Sequence, residues 1–179
     1  MKRSLEDRAR EFATAAHEGQ VRKFTNEPYI VHPTRVVEMV KALPSVTLGP
    51  CPDEALATAY LHDVVEDCGI SLSLIDDLFG ATVSAGVDWL TEDPELKAKK
   101  IKRAIRKWMY ADRIRLAPPW VKTIKLADLL DNTPSIIKNE PKFAPVYLKE
   151  KRHLLDTALL HGDPSLWQKA DEILKQNGY

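Results

Sequence analysis

Leu61-His62-Asp63-Val64-Val65-Glu66-Asp67 sets an imidazole and a carboxylate side by side at the end of an apolar run. Burying two ionisable groups costs free energy unless something compensates them. A divalent cation would, because imidazole nitrogen and carboxylate oxygen both suit manganese, iron or zinc. Adjacent helix residues point about 100° apart and can still converge on an ion lying between their directions. On one continuous helix Glu66 stands one turn after His62, and Asp67 one turn after Asp63. The segment therefore offers two candidate ligands and, a turn away, two carboxylates free for proton transfer. The bland alternative is a helix end with exposed acids and a hydrogen-bonded histidine.

Outward from this segment, apolar spacing is helical nearly everywhere. The segment closes a helix from about Asp53 to Asp67, with Leu56, Ala59, Tyr60 and Val64 inward. Before it, Leu5, Ala9, Phe12, Ala13 and Ala16 make one stripe, and Val36, Val37, Met39 and Val40 lie on a helix opened after His32-Pro33-Thr34. Pro44, Gly49, Pro50 and Pro52 mark a loop. After it, Ser71 reads as an N-cap and Gly80 as a helix stop, followed by a helix from Thr82 to Leu90. Asp93-Pro94 opens a basic segment running to about Ala111. Pro118-Pro119 interrupts, a helix from Trp120 to Asp131 follows, and two more run from Phe143 to Leu160 and from Asp163-Pro164 to the end. Strand-like alternation is nearly absent. The expectation is an all-α bundle of roughly eight to ten helices, residues 1–179 forming a single domain.

The 179 residues are 44% hydrophobic and 29% charged, a mix that can bury a core. Lys plus Arg equals Asp plus Glu, 26 each, so no global field draws the chain to nucleic acid or a membrane surface. Cys51 and Cys68 form no C-x-x-C pair, which leaves a disulfide framework or zinc knuckle unsupported. The basic N-terminus, Met1-Lys2-Arg3, has no apolar run behind it and does not read as a signal peptide. No stretch approaches the roughly 20 apolar residues of a membrane span. A cytoplasmic protein with neither nucleic-acid nor membrane partners is expected, its oligomeric state undetermined.

Two further residues stand out of place. His32 lies in the apolar stretch Pro28-Tyr29-Ile30-Val31-His32-Pro33, and Asp128 in Ile124-Lys125-Leu126-Ala127-Asp128-Leu129-Leu130, a helix that otherwise reads as buried. Each alone also reads as a satisfied core polar residue. With His62 and Asp63 they make a candidate set of two histidines and two aspartates that leaves positions for water and substrate.

The order His32, His62-Asp63, Asp128 resembles the HD-domain phosphohydrolases. Ala16-His17-Glu18-Gly19-Gln20-Val21-Arg22-Lys23 followed by Pro28-Tyr29-Ile30-Val31-His32-Pro33 is similar to the start of the alarmone hydrolase domain of RelA/SpoT proteins. His62-Asp63-Val64-Val65-Glu66-Asp67 resembles its HD-x-x-ED motif, Phe79-Gly80 and Leu90-Thr91 its next segment, and Lys125-Leu126-Ala127-Asp128 with Asn132 its K-x-A-D…N motif. The likeness covers about residues 5 to 155, and the chain ends where a synthetase domain would begin. It resembles the stand-alone small alarmone hydrolases, including the metazoan SpoT-homologue type.

The resemblance implies an all-α HD bundle. It implies a metal, usually manganese, held by His32, His62, Asp63 and Asp128. Glu66 and Asp67 would position and deprotonate the attacking water. Arg22 and Lys23 would lie against the base or phosphates, and Asn132 would reach the ribose or a phosphate. The implied reaction removes the 3′-pyrophosphate of guanosine tetra- or pentaphosphate. Rivals stay open: adenosine alarmones, the 2′-phosphate of NADPH, a deoxynucleotide, or a nucleotide sensor without turnover.

Leu129 stands where those hydrolases usually carry a basic residue, and Asp131 where they more often carry histidine or tyrosine. Lys97, Lys99, Lys100, Lys102, Arg103, Arg106 and Lys107 read as a solvated basic helix, or else as a wall attracting polyphosphate or a partner. Without the resemblance Arg22 and Lys23 read as solvated loop charges. His17 reads as structural, holding the loop that carries Arg22. Trp89, Trp108, Trp120 and Trp167 read as helix-packing residues, and Phe143, Tyr147 and Leu148 as core, Tyr147 alternatively lining the substrate end because its helix follows the one bearing Asp128 and Asn132.

Overall fold

The computed structural model describes residues 3–49 and 51–179. Met1 and Lys2 of the expected N-terminal segment, and Pro50 of the expected loop, lie outside the described residues. Eleven α-helices run through the rest, with one 3-10 turn at Ser45–Leu48. Among the described residues the only β pairing is an isolated antiparallel bridge between Val21 and Pro28. The all-α expectation holds. The count exceeds it because two helices have only five residues each, Val64–Cys68 and Pro94–Ala98. The fold divides into two compact units, one ending at Thr91 and one beginning at Glu92.

The first unit is organised around α3. In chain order its helices are α1 (Leu5–Ala16), α2 (Val31–Lys41), α3 (Pro52–Leu61), α4 (Val64–Cys68), α5 (Leu72–Phe79) and α6 (Ala81–Leu90). Pro52 at the first position and Asp53 and Glu54 in the first turn start α3 as dipole and proline preferences dictate. Every side chain from Ala55 to Leu61 is buried, which suits a helix flanked by α1, α2 and α6. The mostly small residues of this stretch, such as Ala55, Ala57 and Ala59, let those neighbours approach closely. Ser4 caps α1 by accepting from the Asp7 N–H, and Ser71 caps α5 by accepting from Leu74, as expected. Gly80, at φ 89°, ends α5 in a conformation that residues with a Cβ seldom adopt.

Two boundaries differ from expectation. The second helix opens at Val31, so His32 and Pro33 lie inside its first turn, where a missing proline N–H is harmless. The expected single helix from Asp53 to Asp67 is broken at the His62-Asp63 pair. His62 keeps helical dihedrals, Asp63 turns to φ −103° and ψ −8°, and α4 then runs to Gly69 in the left-handed region. The one-turn relation between Asp63 and Asp67 survives, for the Asp67 N–H donates to the Asp63 carbonyl at 2.9 Å. That between His62 and Glu66 no longer lies on one continuous helix.

The second unit holds α7 (Pro94–Ala98), α8 (Arg103–Arg115), α9 (Pro119–Asn139), α10 (Ala144–Thr157) and α11 (Pro164–Gln176). Asp93 caps α7 and Asp163 caps α11, each through its side chain. The longest helix, α9, buries Val121, Ile124, Leu126, Ala127 and Leu129 and packs with α10 and α11. It runs past the expected end at Asp131 and through Pro134. Pro134 is exposed, and half-buried Ile136 and Ile137 carry the apolar pattern beyond it, so packing outweighs the lost backbone bond.

The basic segment is two helices, α7 and α8, and much of its charge is paired. Lys99 meets Glu95, Arg103 meets Glu150, and both Arg106 and Lys107 meet Glu92. Burial raises the Glu92 carboxyl, but Lys107 and its neighbours outweigh that and hold it below its usual value. Trp108, expected to pack, is 58% exposed, because α8 turns Tyr110, Ala111 and Ile114 inward instead. Trp89, Trp120 and Trp167 are half-buried. Among the described residues no helix is long and apolar enough to cross a membrane.

Candidate metal centre

His32, His62 and Asp63 converge. One ligand atom from each lies within 4.8 Å of the others, the spacing of groups that hold one ion. His32 comes from the first turn of α2, and His62 and Asp63 from the break between α3 and α4. The two rings meet edge-on, centroids 5.2 Å apart, and both histidines are buried. Asp63 Oδ2 lies 3.1 Å from His62 Nε2 and 3.5 Å from His32 Nε2. The helix break is what allows this: it lets Asp63 turn back beside His62 rather than diverge along a continuous helix.

The donor chemistry fits a cation. His62 Nδ1–H donates to the Ala59 carbonyl at 2.8 Å, which leaves the Nε2 lone pair facing the cluster. A histidine metal ligand is typically held this way through its other nitrogen. Burial would raise the Asp63 carboxyl, yet the positive charge of His62 and His32 when they carry protons outweighs it and holds the group well below the ordinary carboxylate value, and a bound cation would supply that charge in their place. An anionic oxygen and two imidazole nitrogens are a ligand set for a borderline divalent metal.

Around the cluster stand residues whose partners no local pattern announces. The Tyr29 hydroxyl donates to Asp63 Oδ2 at 2.7 Å. Burial first, and then the Asp63 charge, push that phenol well above its usual value. The His17 ring stacks on Tyr29 with centroids 4.4 Å apart and is held by Gln20 at 2.9 Å and Cys68 at 3.3 Å. His17 thus does hold the loop that carries Arg22. In the sequence Tyr29 stands in an apolar stretch, 34 residues before the carboxylate it meets. Burial above all raises the Cys68 thiol, which favours its neutral form beside the His17 ring.

Glu66 and Asp67 stand exposed on α4. Although Asp67 is exposed as a residue, its carboxyl faces the cluster side, and partial desolvation there first, then the Asp63 charge, raise it above its ordinary value. A carboxylate held so is a better proton acceptor than a free one. Arg22 lies in a loop closed by the Val21–Pro28 bridge, its N–H donating to the Glu27 carbonyl at 2.8 Å. Its guanidinium carbon is 5.7 Å from the Tyr29 ring centroid. Lys23 is exposed and lies over Phe24.

Asp128 and Asn132 belong to the second unit. Asp128 is buried; Lys125 Nζ lies 2.8 Å from its Oδ2, and the Asn132 amide donates to its Oδ1 at 2.5 Å. Its surroundings are therefore polar and satisfied, built one turn apart along α9. Tyr147 is buried and shares a 3.3 Å hydrogen bond with Thr133. Leu129 is buried and Asp131 half-buried.

Comparison with known proteins adds an independent line. The family model described as HD domain matches residues 9–151. Guanosine-3′,5′-bis(diphosphate) 3′-pyrophosphohydrolase MESH1 of Drosophila melanogaster is 30% identical over 174 residues, 94% of this chain and 92% of that protein. Guanosine-3′,5′-bis(diphosphate) 3′-pyrophosphohydrolase of Vibrio cholerae is 35% identical over 127 residues, 69% of this chain but only 16% of the longer protein. Among solved structures, a metazoan ortholog of SpoT that hydrolyzes ppGpp superposes with a TM-score of 0.83 at 27% identity, covering 99% of this chain and 98% of its own. A Listeria monocytogenes protein shares the fold, with a TM-score of 0.62 over 81% of this chain and 97% of that one, at 21% identity.

Proposed function

This chain belongs to the HD-domain family, and from that premise we propose that it is a metal-dependent hydrolase removing the 3′-pyrophosphate of guanosine tetra- or pentaphosphate. The observation that carries the reading is the convergence of His32, His62 and Asp63 with two carboxylates just beyond them. Relatives matched over most of their length bear that activity in their names. We take residues 1–179 as one hydrolase domain.

In this reading His32, His62 and Asp63 hold the cation, and Asp128 supplies the fourth donor. The cation is Mn2+, a metal that accepts this mixture of nitrogen and oxygen ligands. When bound, it acidifies water and polarises phosphorus–oxygen bonds. Glu66 and Asp67 orient the attacking water, and one of their carboxylate oxygens takes its proton. The water oxygen bonds to the phosphorus joined to the ribose 3′ oxygen. The bond between that phosphorus and the 3′ oxygen breaks, pyrophosphate departs, and the 3′ oxygen takes up a proton to leave GDP or GTP. Arg22 lies against the purine or a phosphate, where a flat guanidinium both stacks and forks. Lys23 adds charge beside it, and Asn132 reaches the ribose or a phosphate. The protein works in the cytoplasm on a small nucleotide, with no nucleic acid or membrane as partner.

One assay tests this. The Mn2+-loaded protein is incubated separately with guanosine alarmones, adenosine alarmones, NADPH and deoxynucleotides, and the products are identified. Pyrophosphate released from the guanosine alarmone is the expected result. Orthophosphate released from NADPH, with the alarmones left intact, would overturn the substrate assignment.

A further inference from the structure

Tyr29 makes contacts through its hydroxyl, its ring and its backbone N–H. Its hydroxyl donates at 2.7 Å to Asp63 Oδ2, the same oxygen that faces both imidazole Nε2 atoms. Its ring lies 5.7 Å from the Arg22 guanidinium carbon and stacks at 4.4 Å and 25° on His17. Its N–H donates to the Gln20 carbonyl at 3.0 Å, pinning the loop between them. Gln20 in turn donates through its side chain to the Asp67 carbonyl at 3.2 Å. The loop bearing Arg22, the aspartate of the metal cluster and the end of α4 are thus tied together, the first two by the Tyr29 side chain and the third by Gln20.

We propose that Tyr29 is a positioning residue that couples the metal centre to nucleotide binding: its hydroxyl fixes the ligating carboxylate of Asp63, and its ring fixes Arg22. The inference rests on the functional reading above, deepening it by naming what aligns the two halves of that site. The physical basis is separate for each half. A hydroxyl donating to a ligating carboxylate orients it and restrains its rotation, and loss of such an outer partner costs about 10- to 100-fold in metal affinity. A guanidinium over an aromatic ring is favoured about two- to fivefold over one without that partner, which biases Arg22 toward this position.

Two variants separate the halves. Tyr29→Phe keeps the ring and removes the hydroxyl, whereas Tyr29→Leu removes both. Mn2+ dissociation constants are measured by competition with a fluorescent chelator, alongside kcat and KM for the guanosine alarmone at saturating Mn2+. Melting temperatures of the metal-free proteins monitor the fold. Tyr29→Phe should weaken Mn2+ binding about 10- to 100-fold while leaving KM near the wild-type value. Tyr29→Leu should weaken Mn2+ similarly and also raise KM about two- to fivefold. A folded Tyr29→Phe protein with wild-type Mn2+ affinity overturns the proposal, and does so even if Tyr29→Leu fails to fold. Equal KM values for Phe and folded Leu variants overturn the Arg22 half. A wild-type chain that binds no Mn2+ would sink the metal reading itself, and this inference with it.

Discussion

His62 Nδ1 and the Ala59 carbonyl are 2.8 Å apart, a bond made inside the last turn of α3. It fixes which nitrogen of the ring faces Asp63, and it does so with backbone that any substitution at position 62 leaves in place. Replacing the ring deletes one metal donor, and because His62 is buried the melting temperature of the metal-free variant is followed alongside. His62→Ala should lower Mn2+ affinity by more than the roughly 10- to 100-fold that outer partners cost, with activity at limiting metal falling in parallel. Metal analysis after gel filtration checks this. A variant that retains wild-type metal content would show that the cluster does not hold the ion.

Glu66 is exposed on the five-residue α4, so a change there tests chemistry with little effect on packing. Glu66→Gln should cut kcat by about 10²- to 10⁴-fold, the usual worth of a proton-transfer group. Metal content should be unchanged, and stability should move by no more than about 0.5 kcal/mol, as for most surface sites. Unaltered turnover would remove Glu66 from the mechanism. If instead the wild-type protein binds nucleotide tightly and never turns it over, a sensor role replaces catalysis.

How far the sequence spoke depends on the kind of signal each residue sends. His32, His62 and Asp63 were legible because a polar group among apolar neighbours violates the local pattern, and that violation is visible in one dimension. The break after Leu61 was not, since His62 and Asp63 continue the helical periodicity and the backbone departs from it only to bring Asp63 beside His32. Tyr29 was invisible as a functional residue for a different reason. A tyrosine in an apolar stretch is ordinary core material, and only the 2.7 Å bond to Asp63 gives it a role. The extension of α9 through Pro134 was hidden by a rule with real force, proline as a helix breaker, which half-buried Ile136 and Ile137 override.

Gly162 lies in the connection between α10 and α11, and its need for glycine is one of space. A Cβ there would sit 2.6 Å from Leu126 Cδ1 and 3.2 Å from the Lys122 carbonyl carbon. Leu126 is fully buried, so its side chain moves only by repacking the core, and the α9 backbone at Lys122 and Thr123 stands close behind it. Gly162→Ala should cost about 1–3 kcal/mol, the usual penalty of overpacking. That corresponds to a drop of about 2–12 °C in Tm at this chain length. Thermal denaturation measures it, and an unchanged or higher Tm would show that α9 and the connection separate easily.

Lys151 offers a test of electrostatics in the second unit that needs no substrate. Its ammonium lies 4.9 Å from the Tyr147 ring centroid on the same helix. Burial first, and then the charges of Lys125 and Lys107, push the amine down to about 7, against the pull of Asp128 and Glu150. In the unfolded chain it titrates near about 10.4. Between those two values the unfolded state holds a proton that the folded state has released, so stability rises with pH across that window. The stabilisation is fully present above the unfolded value and is lost as pH falls through about 7. Lys151→Met keeps much of the volume and removes the titration. The variant should melt above wild type at pH 7, and the gap should close steadily as pH approaches about 10. Titrating groups remote from Lys151 are common to both proteins and cancel in the difference. Paired melting curves from pH 6.5 to 10 read it directly, and a gap that stays constant across the range would show that Lys151 is charged in the folded protein throughout.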